Sequence, residues 1–299
     1  MRLLFINQTK SSIKIEVMFK YCISLFLGMD LNIEQQVRQT LSKIKLNKKD
    51  KIIVALSGGK DSSVMAYLLK KLGYNIEGFY IDLKMGGYSE DCFNAVKKLC
   101  NNLKIKLHVY DIRKEMGNSM CNIRQSIQSK SKNTIKNCAI CGVIKKWILN
   151  KEARRLKAKY IATGHHLDDE IQTFLLNILK GSPELSLNNG IITKNISDKK
   201  FIPRLKPLFY ILEKDIKEYS IKNKLPVVYE KCPCAIDSYR IQIREFMKTL
   251  NDKQKKNIMK NSEQISQKLK KESTKIKYCE ICGEPSRNKI CKMCELLRK

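Results

Sequence analysis

The 299 residues carry 59 Lys and Arg against 29 Asp and Glu, a formal net charge of +30, with 43% hydrophobic and 29% charged side chains. That length suits one large domain with appendages, and the apolar fraction excludes a disordered chain. No run of about 18 apolar residues is present to cross a bilayer as a helix, and the positive excess favours a polyanion, nucleic acid before membrane.

Along the chain, residues 1–30 form an extension in which an apolar stretch, 21–27, follows Lys14 and Lys20. It lacks a small-residue cleavage site, so export is not expected, and Met29 is an alternative start. Ile33, Val37, Leu41 and Ile44 repeat at helical spacing over 31–46. Residues 51–56 then make a short apolar run into Ser57-Gly58-Gly59, the pattern of a buried parallel strand. Helices are expected at 61–72, near 89–103, from about 142 to 157 and from about 168 to 180, with strands at 76–82, 105–111 and 160–163. This alternation predicts an α/β fold, a parallel sheet with helices on both faces. Segment 183–203 reads as loop, and 212–224, 237–250 and 252–271 as helices. The expected division is an extension (1–30), a helix (31–46), an ATPase domain (47–211), a helical part (212–271) and a metal module (272–299).

Eight of the twelve cysteines fall in pairs: Cys138/Cys141, Cys232/Cys234, Cys279/Cys282 and Cys291/Cys294. Paired thiols one or two residues apart read as metal ligands. Cys22, Cys92, Cys100 and Cys121 stand alone and read as buried small hydrophobes. The tail is CxxC-x8-CxxC, four soft ligands with no open position, which predicts a closed structural Zn²⁺ site, a ribbon of two knuckles. Cys138-Ala139-Ile140-Cys141, by contrast, is compatible with a zinc half-site, a redox pair or half a cluster site. Between Arg113 and Lys159 there are 13 Lys and Arg against 2 Asp and Glu, a surface that RNA phosphates would use and a structural zinc would not.

The strongest chemical signal is Ser57-Gly58-Gly59-Lys60-Asp61-Ser62, between the first strand and its helix. Glycines allow backbone N–H groups close to phosphate, the helix N-terminus adds positive potential, and Lys60, Ser57 and Ser62 supply a cation and hydroxyls. The Walker spacing is absent. A second motif, Thr163-Gly164-His165-His166-Leu167-Asp168-Asp169-Glu170, is a strand end, a glycine turn and acids opening a helix, suited to Mg²⁺, to proton handling or to helix capping.

The hexapeptide resembles the PP-loop of the N-type ATP pyrophosphatases, which adenylate a substrate by splitting ATP between its α and β phosphates. The resemblance implies adenine contacts near Ala55 and Ile81, and an ATP contact at Gly164 beside those of Ser57, Gly58, Gly59, Lys60, Asp61 and Ser62. Adding Cys138, Cys141, Cys232-Pro233, the segment 203–208 and the segment 239–244, the chain from about residue 35 onward resembles the TtuA-type tRNA 2-thiouridine synthetases. Carried over, Cys138, Cys141 and Cys232 would hold a [4Fe–4S] cluster with one iron open for sulfur. Lys145 and Asp169 would be the catalytic pair and Asp61 the PP-loop acid, and the tail would bind zinc. The family usually opens with a second Cys/His zinc module, whereas only Cys22 precedes residue 92 here.

The resemblance implies a cytoplasmic, homodimeric tRNA-uridine 2-sulfurtransferase using ATP, Mg²⁺, a [4Fe–4S] cluster and Zn²⁺. It would act on uridine 54 in preference to wobble position 34. Its sulfur donor would be a ubiquitin-like thiocarboxylate protein or sulfide. Alternatives are thiolation of cytidine 32 by the same core, and a non-catalytic zinc-bearing RNA-binding protein. Cys234 is expected to be a bystander, or at most a transient sulfur carrier, because alternate residues of an extended segment face opposite ways.

Overall fold

The computed structural model describes residues 32–131, 135–188, 190–193, 198–235, 240–268 and 276–298. Its elements in chain order begin with α1 (Ile33–Ser42), β1 (Ile52–Leu56), α2 (Lys60–Lys71), β2 (Ile76–Asp82), α3 (Gly87–Leu103) and β3 (Leu107–Asp111). There follow α4 (Ile112–Met116), α5 (Met120–Lys130), α6 (Asn137–Arg155), β4 (Tyr160–Ala162) and α7 (Leu167–Leu179). After a 3₁₀ turn (Pro183–Asn188) come β5 (Arg204–Leu205), α8 (Glu213–Lys222), α9 (Arg240–Lys248) and α10 (Asp252–Lys268), and last β6 (Lys277–Tyr278), β7 (Pro285–Ser286) and α11 (Lys292–Arg298).

Five strands form one parallel sheet in the order β3-β2-β1-β4-β5. Its central strand is apolar on both sides because both faces are covered: Ile52 and Val54 enter one core, Ile53 the other. The first core takes Val37 of α1, Met65 and Leu68 of α2, Val96 of α3, Ile171 of α7 and Ile216 of α8. The second takes Met120 and Ile123 of α5, Ile140, Ile144 and Ile148 of α6, and Met293 and Leu296 of α11. Strand order reverses between β1 and β4, and a crevice opens there at their carboxyl ends, the usual ligand position of such sheets.

Three departures from the sequence reading matter for the site. The polar stretch after β3 contains two helices, α4 and α5, the latter capped by Ser119, whose side chain accepts from the Asn122 N–H. Met120, Ile123 and Ile127 bury one face of α5 at spacings 3 and 4, a signal present in the sequence but diluted by its polar neighbours. Helix α6 starts at Asn137 rather than near 142, so Cys138 and Cys141 sit inside its first turns, on one side of it, instead of before it. Within the expected loop 183–203 and just after it lie the 3₁₀ turn and β5, too short to show a period. Residues 1–31, with Cys22 and Met29, lie outside the described residues.

Candidate active site and cysteine centres

The ends of β1 and β4 are shaped by two glycines that no other residue would replace without displacement. Gly58 has φ +83, and a Cβ on it would lie 2.8 Å from the Cys92 Cα. A Cβ on Gly164, after β4, would lie 2.9 Å from the Asp61 carbonyl carbon and 3.0 Å from the Ser62 nitrogen. The two strand ends therefore close on each other backbone to backbone. Within the loop the Ser57 N–H donates to Ser62 Oγ (3.2 Å), and the Ser62 hydroxyl donates to the Gly59 carbonyl (3.0 Å). These bonds hold the turn in shape at the N-terminus of α2.

Lys60 is held between two acids, 3.1 Å from Asp61 and 2.8 Å from Glu213 at the start of α8. Burial alone would lower its pKa, but Asp61 and Glu213 outweigh that and raise it. The acids of the second motif go to different tasks. Asp168 is buried, accepts from the Glu213 N–H (2.8 Å) and pairs with Lys255 (2.9 Å), and Glu170 pairs with Lys206 (2.7 Å). Asp168 thus secures the start of α8 rather than of its own helix, which has no side-chain cap. Asp169 is half-buried, 3.4 Å from His166 Nε2.

His166, 4% exposed, stands among three carboxylates: Asp169, Asp168 (3.8 Å) and Asp61 (3.9 Å). It links the PP-loop acid to the second motif's acids, a role that two adjacent histidines in a sequence do not reveal. His165 turns the other way, its Nδ1 2.9 Å from Thr163 Oγ1.

In the crevice a cavity of about 250 Å³ is lined by Ala55, Ser57, Ile81, Lys145, His165 and Cys232, among others. The residues expected near adenine, the cation expected at the phosphoryl group and one of the expected cluster thiols thus line one cavity. Lys145 follows Cys141 by four residues on α6 and so lies on the same side of that helix. The segment carrying Cys232 is led to the loop by the Val228 N–H, which donates to the Gly58 carbonyl (2.9 Å). Cys138 is exposed, and Cys141 and Cys232 are half-buried. The lining also includes Tyr88 and Cys92, which the motifs did not single out, and Arg204 of the segment 203–208. Burial, reinforced by neighbouring Cys92, pushes the Tyr88 hydroxyl pKa well up, and burial draws the Arg204 guanidinium down.

The tail cysteines are arranged otherwise. The ligand atoms of Cys279, Cys282, Cys291 and Cys294 lie within 4.8 Å of one another, the one such group of three or more among the described residues. Burial opposes charge on Cys279, yet the N–H groups of Cys291, Cys282 and Ile281 bring its thiol down to about 6. Four convergent sulfurs, one aimed at by backbone donors, fit a tetrahedral soft cation with no open position. Cys138, Cys141 and Cys232 do not form such a group.

The family model of the PP-loop domain matches residues 29–250. The chain belongs to the PP-loop family, among the TtuA-type tRNA 2-thiolation proteins. It is 34% identical over 270 residues to the tRNA-5-methyluridine(54) 2-sulfurtransferase of Pyrococcus horikoshii, covering 88% of this chain and 83% of that one. To cytoplasmic tRNA 2-thiolation protein 1 of Caenorhabditis elegans it is 32% identical over 277 residues, covering 89% and 72%. The fold is similar to the U34-tRNA thiolase NcsA from Methanococcus maripaludis, solved with its [4Fe-4S] cluster: TM-score 0.73, 27% identity, 89% of this chain and 86% of that chain. No helix among the described residues is long and apolar enough to cross a membrane.

Proposed function

We propose that the chain is an ATP-dependent tRNA uridine 2-thiolase that adenylates the C2 oxygen of a uridine and exchanges it for sulfur. The observation that carries the reading is the cavity at the strand-order reversal, which Ser57 of the PP-loop, Lys145 and Cys232 all line, with Gly59, Lys60, Asp61 and Asp169 lining a second cavity. The C2 carbonyl of uracil is a poor electrophile, and attaching AMP to its oxygen makes that oxygen a leaving group. Ser57, the Gly59 turn and the α2 N-terminus orient the phosphates, while Lys145 offsets charge on the phosphoryl group in transfer. Asp61 and Asp169, 3.9 and 3.4 Å from His166 Nε2, are placed to hold Mg²⁺ or move a proton. A [4Fe–4S] cluster held by Cys138, Cys141 and Cys232 would supply an iron without a protein ligand, able to carry sulfur.

Two placements support three thiol ligands rather than four. Cys232 lines the cavity, whereas the Cys234 sulfur accepts from Arg124 Nη2 of α5 at 2.8 Å. The favoured target is uridine 54, with wobble position 34 the alternative, and the tail quartet is read as the zinc site. Anaerobic protein given ATP, tRNA and sulfide should yield 2-thiouridine by nucleoside mass spectrometry, together with AMP and pyrophosphate. Lys145→Ala should lower the rate about 100-fold or more. ATP turnover without thiolated nucleoside would overturn the reading. So would thiolation of cytidine alone.

A further inference from the structure

Arg124 is a charged side chain in the wrong place for a surface residue. It is 6% exposed, its Nε has no hydrogen-bond partner, and no carboxylate approaches it among the described residues. Its contacts are two sulfurs: Nη2 lies 2.8 Å from Cys234 Sγ and 3.2 Å from Cys121 Sγ. A buried guanidinium is costly unless an anionic group faces it. Cys121 lies one turn before Arg124 on α5, and Cys234 arrives from a segment 110 positions further along the chain. Cys121 is half-buried, not the enclosed small hydrophobe expected from its isolation in the sequence. Cys234 stands two residues after Cys232, which lines the cavity. One cation thus gathers two thiols that the thiolation chemistry above does not use, beside the place where sulfur is needed.

We propose that Cys234 and Cys121 form a sulfur-reducing pair that takes sulfane sulfur from a persulfide donor and releases it as hydrosulfide two residues along the chain from Cys232, with Arg124 balancing the negative charge on sulfur. The proposal rests on the thiolase reading for its purpose but not for its chemistry. In the first step the Cys234 thiolate attacks the outer sulfur of a donor R–S–SH. A Cys234–S–SH persulfide forms and R–S⁻ departs. In the second, the Cys121 thiolate attacks the Cys234 sulfur, the S–SH bond breaks, and HS⁻ leaves. The outer sulfur gains two electrons, and the two thiols, having lost them, end as a Cys121–Cys234 disulfide. A dithiol reductant restores both thiols by exchange. Both sulfurs touch one nitrogen, so the second attack needs only a local turn of side chains.

The test treats the full chain, anaerobically, with glutathione persulfide and no tRNA. Alkylation and peptide mass spectrometry should find one added sulfur on the Cys234 peptide, followed by a Cys121–Cys234 disulfide, with hydrosulfide released in equal amount. In Cys121→Ser the persulfide should accumulate on Cys234 while disulfide and release are lost; in Cys234→Ser all three should be lost. Melting temperatures of both variants check that the fold survives, and Cys234→Ala repeats the test if serine perturbs it. A disulfide between other cysteines, or equal hydrosulfide release from wild type and Cys121→Ser, would overturn the proposal. Wild-type protein supplied with ATP, tRNA and free sulfide tests the thiolase reading separately, since sulfide bypasses the pair: thiolation there, with no persulfide on Cys234 in the glutathione persulfide arm, defeats this inference alone.

Discussion

The ribbon cysteines and the Cys138/Cys141 pair of α6 contain the same ligand atom in the same CxxC spacing, yet the chain treats them in opposite ways. In the ribbon, four sulfurs converge and three of the four residues are buried. The β6–β7 pair and α11 surround them, and Met293 and Leu296 continue the packing into the second core. Of Cys138, Cys141 and Cys232, one is exposed and two are half-buried, they come from two distant segments, and Cys232 lines the cavity. A closed set suits a cation that only holds structure, while an open set suits a group that must meet a substrate. Sequence spacing predicts ligands in both places; the burial around them separates their tasks.

The ribbon is also tied to α6. Arg154 and Asn150 of α6 both donate to the Glu284 carboxylate, and Lys200 donates to the Gly283 carbonyl (3.0 Å). Helix α6 carries Cys138, Cys141 and Lys145 in its first half and this network in its second.

Cys279→Ser tests the contrast between the two centres most severely. Losing a structural zinc ligand should release the metal and forfeit up to about 10 kcal/mol of metal-linked folding free energy in the ribbon. Metal analysis should show zinc lost and iron retained, and loss of both without unfolding would break the division. A smaller effect is expected for Glu284→Gln, which leaves the Arg154 charge poorly matched. The ribbon should undock at a cost of about 1–3 kcal/mol, read as faster proteolysis at 276–298 with zinc still bound.

Smaller still in stability is Cys232→Ser. The side chain lines an open cavity, so the unfolding free energy should move by no more than about 0.5 kcal/mol. Iron content and the broad absorption near roughly 400 nm expected of thiolate-held clusters should nevertheless vanish. A melting point that fell as far as that of Cys279→Ser would make the two centres alike. Last, replacing exposed Arg113, Lys114, Lys130, Lys157 and Lys159 with Gln should leave both metals in place. It should flatten the salt dependence of tRNA binding by roughly 0.7–0.9 in log-log slope for each phosphate no longer neutralised. An unchanged slope would assign that charge to composition.

Much of the fold and site was legible because it depends on local pattern. The apolar run 51–56, the glycine loop after it and the repeated CxxC spacings are short-range signals, and each reports a backbone requirement or a ligand geometry within one segment. The β1–β2–β3 half and the ribbon followed from them. What was not legible depends on partners far away in the chain. Two-residue β5 exists because β4 offers it an edge, and α6 begins at Asn137 because Ile140, Ile144 and Ile148 are buried in the second core. His166 becomes the hub of three carboxylates only when β4 and the PP-loop close at Gly164. Arg124 meets two sulfurs only because residues 232–235 pass over α5. The sequence by itself determined which residue types can bind phosphate or metal, since that is a property of the side chain and its immediate neighbours. Tertiary structure alone decided which thiols are enclosed and which face the cavity, because burial and charge balance are properties of everything packed around an atom.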